Sequence, residues 1–325
     1  MSAVWNGGGR RIHMQEVGPR DGLQMESVFV PTADKIAFVD ALSRTGFAKI
    51  EVTAFVSPKA IPALRDAEDV MRGIARVPGV VVTALVPNVR GAERAIDAGT
   101  DELNLVMSAT ETHNLANLRM TREQSFAGLA EVASIAVDAG VAVNISLSCA
   151  FGCPMEGDVA DLVVLRWCER FVELGASGIT LCDTTGMAYP GQVAALARTV
   201  RNRWPGTQLT MHFHDTRGLG LPNILAAIDA GVDRFDASVG GLGGCPYAPG
   251  ASGNVCTETV VHALELMGYD TGVDLAALLD VSRRVPALVG HDVASPIVKA
   301  GRRLDLHPEP ASVAALRAAA AARVA

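Results

Sequence analysis

Eight short apolar or β-branched runs recur along this chain, separated by longer segments with helical spacing. The runs fall at residues 12–17, 49–53, 80–86, 101–106, 141–147, 178–182, 208–212 and 234–239. The segments between them, 33–45, 60–76, 89–98, 123–139, 158–174, 190–204 and 221–230, repeat apolar residues at intervals of three and four, which lines one face of a helix. Several end in glycine (Gly46, Gly99, Gly140, Gly175, Gly231), where a helix needs a left-handed residue before the next strand. Eight such units predict an α/β chain folded as a (β/α)8 TIM barrel. A doubly wound open sheet is the alternative, but it uses fewer strands and opens on a glycine-rich dinucleotide turn. Here the first turn reads Gly18-Pro19-Arg20-Asp21-Gly22, with no Gly-x-Gly-x-x-Gly. After the eighth run, segments 255–268, 275–285 and the alanine-rich 312–324 read as the last barrel helix and a short helical C-terminal extension. The expected division is a catalytic barrel over 1–268 and an extension over 269–325 packed on it.

The 325 residues, 49% hydrophobic and 19% charged, suffice for a large core. A net charge of −7 is the opposite of a nucleic-acid footprint. Six cysteines (Cys149, Cys153, Cys168, Cys182, Cys245, Cys256) are too few and too scattered to staple a chain of this size, so reduced thiols are expected. Residues 1–11 lack the apolar core of a signal peptide, and no apolar run is long enough for a bilayer. These features predict a soluble cytoplasmic protein with neither nucleic acid nor membrane as partner.

Barrel chemistry collects at the carboxyl ends of the strands. Arg20 and Asp21 follow the first strand, Glu51 lies on the second, Asp183 ends the sixth, and His212 and His214 end the seventh. Alternate strand residues share a face, so the two imidazoles of His212-Phe213-His214 point the same way and can share a cation. The eighth strand is followed by Gly240-Gly241-Leu242-Gly243-Gly244-Cys245, with Asn254 beyond it. A thiol among glycines is poor packing material and suits a loop that approaches a ligand. Each candidate has an ordinary explanation when taken singly: a turn pair for Arg20 and Asp21, an inward barrel residue for Glu51, a helix cap for Asp183. Their convergence on one rim favours a site. Two imidazoles, the Asp21 carboxylate and the Asn254 carboxamide form a ligand set without thiolate, which suits Mg²⁺ or Mn²⁺ and leaves Zn²⁺ less favoured. Cys245 as a fifth ligand would swing the choice to zinc.

Several stretches resemble the 3-hydroxy-3-methylglutaryl-CoA lyases. They are Glu16-Val17-Gly18-Pro19-Arg20-Asp21-Gly22-Leu23-Gln24, Phe55-Val56-Ser57-Pro58-Lys59, Ser148-Cys149-Ala150-Phe151-Gly152-Cys153-Pro154, Asp183-Thr184-Thr185-Gly186, His212-Phe213-His214-Asp215-Thr216 and Gly243-Gly244-Cys245-Pro246-Tyr247-Ala248. The last string is specific to those lyases. The Arg-Asp and His-x-His pairs are shared with a wider group of metal-dependent barrel lyases and synthases. The resemblance implies retro-Claisen cleavage of an acyl-CoA thioester to acetyl-CoA and acetoacetate. It implies Asp21, His212, His214 and Asn254 as metal ligands, Arg20 on the substrate carbonyl side, Glu51 and Asp183 near the reacting hydroxyl, and Cys245 as acid/base. A homo-oligomer, dimer or tetramer, is expected. The chain departs from the pattern at Met25, where the related sequences carry Asn, and at Ala54, where they carry Ser. Asn144-Ile145-Ser146-Leu147-Ser148 replaces Arg-Gly-Tyr-Val-Ser. These positions point toward the acyl end, so a related substrate such as citramalyl-CoA or a longer branched 3-hydroxyglutaryl-CoA is the alternative.

Three other readings compete. A Claisen-type synthase would carry a regulatory extension larger than the modest tail here. A zinc hydrolase would place His-x-His on its first strand, and His262, His291 and His307 do not supply its further ligands. An inactive binding barrel would be expected to lose ligands, yet all four are present. The pair Cys149 and Cys153 lacks redox spacing and is read as structural, and Cys256 has no assigned role.

Overall fold

A computed structural model describes residues 3–244 and 253–323. Every expected run becomes a strand: β1 (His13–Glu16), β2 (Lys49–Ala54), β3 (Val81–Leu85), β4 (Glu102–Ser108), β5 (Ala142–Ser148), β6 (Gly178–Asp183), β7 (Gln208–Phe213) and β8 (Arg234–Ala237). Sequence neighbours pair in parallel, and β1 also pairs with β8, so the sheet closes into the expected barrel. Around it run α1 (Thr32–Ser43), α2 (Ala67–Gly73), α3 (Val89–Asp97), α4 (Glu111–Leu118), α5 (Arg122–Asp138), α6 (Asp161–Glu173), α7 (Pro190–Arg203), α8 (Gly220–Asp229) and α9 (Thr257–Leu266).

Local chemistry sets these boundaries. The Thr121 side chain accepts from Gln124 N and the Gln124 side chain from Thr121 N, a capping box that starts α5. Gly46, after α1, has φ +102, and a Cβ there would stand 2.0 Å from the Gly272 carbonyl oxygen. No side chain fits that turn. Residues 60–76 do not form the single helix expected. Ile61 is extended before Pro62, a 3-10 turn follows at Pro62–Leu64, and only then does α2 begin. The β4 to α5 connection holds α4, whose eight residues the periodicity did not reveal. Strand β8 stops short of 239, because Ser238 N turns to the Val255 carbonyl and Gly240 takes φ +71.

Strand alternation divides the interior into two layers. On β4, Leu103, Leu105 and Met107 are fully buried, whereas Glu102 and Asn104 reach Lys49 and Glu51 on β2, two strands away. Gln15 likewise reaches Thr210 on β7 across the intervening β8. Only side chains inside the barrel can make such contacts. The apolar core therefore lies between sheet and helices, with Met14, Ile50, Phe213 and Phe235 within it, and the lumen is lined with hydrogen-bonding groups.

The C-terminal helices are α10 (Leu275–Ser282), α11 (Val285–Val289), α12 (Pro296–Ala300) and α13 (Ala311–Ala322). Helix α10 packs on α9 and α1, and α12 on α9. Helix α13 buries no residue. Among the described residues, no helix is long and apolar enough to cross a membrane.

Candidate functional site

The site begins where β1 ends. Residues Gly18–Gly22 form one wide π-type turn, closed by Leu23 N donating to the Gly18 carbonyl. Such turns recur at functional sites because they re-aim side chains. This one is pinned by Glu16, fully buried, whose Oε1 accepts from Gly18 N at 2.7 Å and Val239 N at 3.0 Å. Its Oε2 accepts from Thr257 Oγ1 at 2.7 Å. One carboxyl thus ties together the loop after β1, the loop after β8 and the start of α9. Burial pushes its pKa up to about 8, outweighing these donors.

The turn presents Arg20 and Asp21. Arg20 donates from Nε to Glu51 Oε2 and from Nη1 to Asp21 Oδ1 at 2.7 Å. Glu51 Oε1 accepts from Asn104 Nδ2 at 2.6 Å. Burial pushes the Glu51 carboxyl up, against the pull of Arg20 and Asn104. Burial also works against the charge on Asp21, but the Arg20 guanidinium and the two imidazoles outweigh it and hold its carboxyl below the usual range. Asp21 Oδ1 further accepts from Gln24 Nε2 at 3.2 Å.

The two histidines end β7 and face the same lumen, as strand alternation predicts. Their Nε2 atoms are 3.1 Å apart, and His214 Nε2 lies 4.0 Å from Asp21 Oδ2. Asp236, on β8, sits 3.2 Å from His212 Nδ1. Burial opposes protonation of His212, but Asp236 outweighs it and raises the ring's pKa. His214 has no such partner. Burial, with His212 beside it, lowers its pKa to about 3. In the tautomer that donates from Nδ1 to Asp236, His212 presents the lone pair of its Nε2 beside the Nε2 of His214, the form that a shared cation needs.

Asn254 arrives from beyond the eighth strand. Asp215 N donates to the Gly253 carbonyl and Val255 N to the Phe213 carbonyl, which lays the returning chain beside His214. Asn254 Nδ2 donates to Asp21 Oδ2 at 2.7 Å and to the Leu242 carbonyl at 2.9 Å. Its Oδ1 is buried and has no hydrogen-bond partner among the described residues. Asp183 does not cap α7, which starts at Pro190. Its Oδ1 accepts from Met187 N at 2.7 Å and Ala188 N at 3.1 Å, and its Oδ2 is buried with no hydrogen-bond partner among the described residues. Burial raises its pKa to about 6.

Asp21, His212 and His214 form a group able to hold a divalent cation, their ligand atoms all within 4.8 Å of one another. An octahedral ion with bonds of about 2.1 Å separates adjacent ligands by about 3 Å and opposite ones by about 4 Å. The 3.1 and 4.0 Å separations fit that frame. The donor chemistry fits too, since His214 is neutral and Asp21 is ionised.

Arg20, Asp21, Glu51, Asp183, His212, His214 and Asn254 all border the mouth or upper lumen of the barrel. Cys245 lies outside the described residues. Asn144 and Ser146 turn into the lumen and donate to Asn104 Oδ1 at 3.0 and 2.8 Å. Ala54 is fully buried and Met25 exposed. Sequence reasoning missed Glu16, Asp236 and Asn104. Asp236 shares the inward alternation of its strand, a signal that could have found it; Glu16 is outward-facing and carried none.

The HMGL-like family profile matches residues 11–285. Hydroxymethylglutaryl-CoA lyase YngG of Bacillus subtilis is 46% identical over 286 residues, covering 88% of this chain and 96% of that one. The mitochondrial hydroxymethylglutaryl-CoA lyase of Gallus gallus is 40% identical over 91% of this chain and 99% of its own. Among solved structures, an HMG-CoA lyase from Acinetobacter baumannii in complex with coenzyme A and 3-methylmalate superposes with a TM-score of 0.89 at 52% identity, covering 92% of this chain and 98% of that one.

Proposed function

We propose that this chain, which belongs to the HMGL-like family, cleaves 3-hydroxy-3-methylglutaryl-CoA to acetyl-CoA and acetoacetate. The observation that carries the proposal is the Asp21, His212, His214 group set directly beside the Arg20–Glu51 pair. The bond to be broken joins the carbinol carbon to the carbon next to the thioester. Its electron pair must move onto the thioester carbonyl, the hydroxyl proton must leave, and the new enolate carbon must gain a proton.

Asn254 completes the ligand set through its unpartnered Oδ1, and the thiolate-free donors favour Mg²⁺ or Mn²⁺ over Zn²⁺. When bound, the ion supplies Lewis acidity to the substrate's hydroxyl and carboxylate oxygens. Asp236 fixes the ring of His212 by holding its Nδ1. Arg20, locked by Glu51 and Asp21, places a fixed positive charge where the thioester oxygen becomes negative. Asp183 is suited to take the hydroxyl proton at its open Oδ2, since a carboxyl with a pKa of about 6 is largely ionised at neutral pH. Cys245 is assigned the return of a proton to the enolate carbon, on the match of its Gly-Gly-Cys-Pro-Tyr-Ala string.

The same reading takes residues 1–268 as the catalytic unit, 269–325 as its extension, and the assembly as a dimer or tetramer. Exposed Leu304 and Leu306 on that extension support an assembly contact. The five cysteines among the described residues are free thiols, which supports a reducing cytoplasmic setting. Steady-state cleavage of 3-hydroxy-3-methylglutaryl-CoA, citramalyl-CoA and longer branched analogues tests the substrate. Turnover of either alternative above the first would overturn it.

A further inference from the structure

Beneath the rim, the lumen holds a relay of side chains that the reaction as proposed leaves unused. Asn104 on β4 donates from Nδ2 to Glu51 Oε1 at 2.6 Å, while Glu51 Oε2 accepts from Arg20 Nε. Glu51 is therefore gripped at both oxygens. Asn104 Oδ1 accepts twice, from Asn144 Nδ2 at 3.0 Å and from Ser146 Oγ at 2.8 Å. Asn144 Nδ2 is braced in turn on Thr180 Oγ1 at 3.0 Å. Two donors on Oδ1 select one amide orientation: a flipped Asn104 would set its NH2 against the NH2 of Asn144 and its oxygen against a carboxylate. Asn104 thus faces Glu51 as a donor while accepting from Asn144 and Ser146. Glu51, Asn104, Asn144, Ser146 and Thr180 are all buried, so a partner lost without replacement strands a desolvated polar group.

We propose that Asn104, oriented by Asn144 and Ser146, is a positioning residue that holds Glu51 so that Glu51 holds Arg20 toward the thioester oxygen. The proposal rests on the function given above. Without the Nδ2 donor, one oxygen of a buried carboxyl loses its one hydrogen-bond partner among the described residues, and the carboxyl is free to rotate. Arg20 then keeps Asp21 and Gln24 as acceptors and swings toward them. The charge is misplaced although every group contacting the substrate is still present.

The test uses Asn104→Ala and Ser146→Ala, each alone and combined with Glu51→Gln. Asn104→Ala should lower kcat roughly 10- to 100-fold, the usual effect of removing an outer partner, with KM changed less than about twofold. Ser146→Ala removes one orienting donor and no bulk, and should give a smaller loss in kcat alone; it serves if Asn104→Ala does not fold. In the Glu51→Gln background, measured in single turnovers, both effects should shrink to less than about twofold, since the group they act through is gone. Equal losses in both backgrounds would overturn the proposal. A crystal structure of Asn104→Ala, or of Ser146→Ala in its place, gives a readout independent of turnover: Glu51 should shift from Arg20 Nε, and an unmoved pair would overturn the brace. Failure of the wild-type protein to cleave the thioester would instead remove the functional reading, with the structural readout still deciding the brace.

Discussion

Glu16→Gln should abolish a specific pH dependence of folding. The folded carboxyl has a pKa of about 8 against an ordinary value of 4.5. Between those values the folded state holds a proton that the unfolded state has lost. Stability from this group is thus fully present below 4.5 and declines as pH rises toward 8. Each pH unit in that window costs a factor of about ten in the folding equilibrium, so the whole window is worth about 5 kcal/mol as an order of magnitude. The protonated acid can turn a hydroxyl to Thr257 Oγ1, now 2.7 Å from Oε2, while Oε1 keeps accepting from Gly18 and Val239. Glutamine reproduces that arrangement: its Nε2 donates where the acid proton stood, and its oxygen accepts the two backbone N–H groups. Urea unfolding of both proteins at pH 5, 6, 7 and 8, in EDTA to remove metal linkage, provides the assay. The stability of the variant relative to wild type should climb steadily with pH. A constant difference would refute the reasoning, because it would mean that Glu16 is ionised in the fold throughout.

Asp236→Asn keeps the shape beside His212 but removes the charge that raises its pKa, and should weaken divalent-metal affinity roughly 10- to 100-fold by calorimetry. Unchanged affinity would show that the ring needs no such support. Chelation should abolish cleavage, Mg²⁺ or Mn²⁺ should restore it, and His214→Ala should remain inactive and fail to bind metal in the same titration. Truncation after Pro310 deletes α13, which buries nothing, and should leave the melting temperature within about 2 °C of the full chain by calorimetry. A larger fall would assign that helix a packing role.

The legible part of this protein was its periodicity. Spacings of two and of three to four are local properties, so eight strands, most of the helices and the rim positions of Arg20, Asp21, Glu51, Asp183, His212 and His214 could be read without a partner in view. His212 and His214 needed only the alternation of one strand to face a common point. The break at Pro62 and the added helix α4 departed from expectation because short segments carry too few turns to establish a period. Other features depended on chain closure. Glu16 meets Val239 and Thr257 across separations of 223 and 241 residues, and Asn254 meets Asp21 across 233. Asn144 and Ser146 carry the right alternation for the lumen, yet only strand pairing sets Asn104 beside them and only the curvature of the barrel brings Glu51, two strands further, within reach of Asn104. Protonation followed the same rule, because His212 and His214 are identical side chains two residues apart, and only Asp236 and the surrounding burial drive their pKa values in opposite directions. Residue order determined which groups could face the lumen. Closure of the sheet decided which of them touch, because desolvation and hydrogen bonding act between neighbours in space.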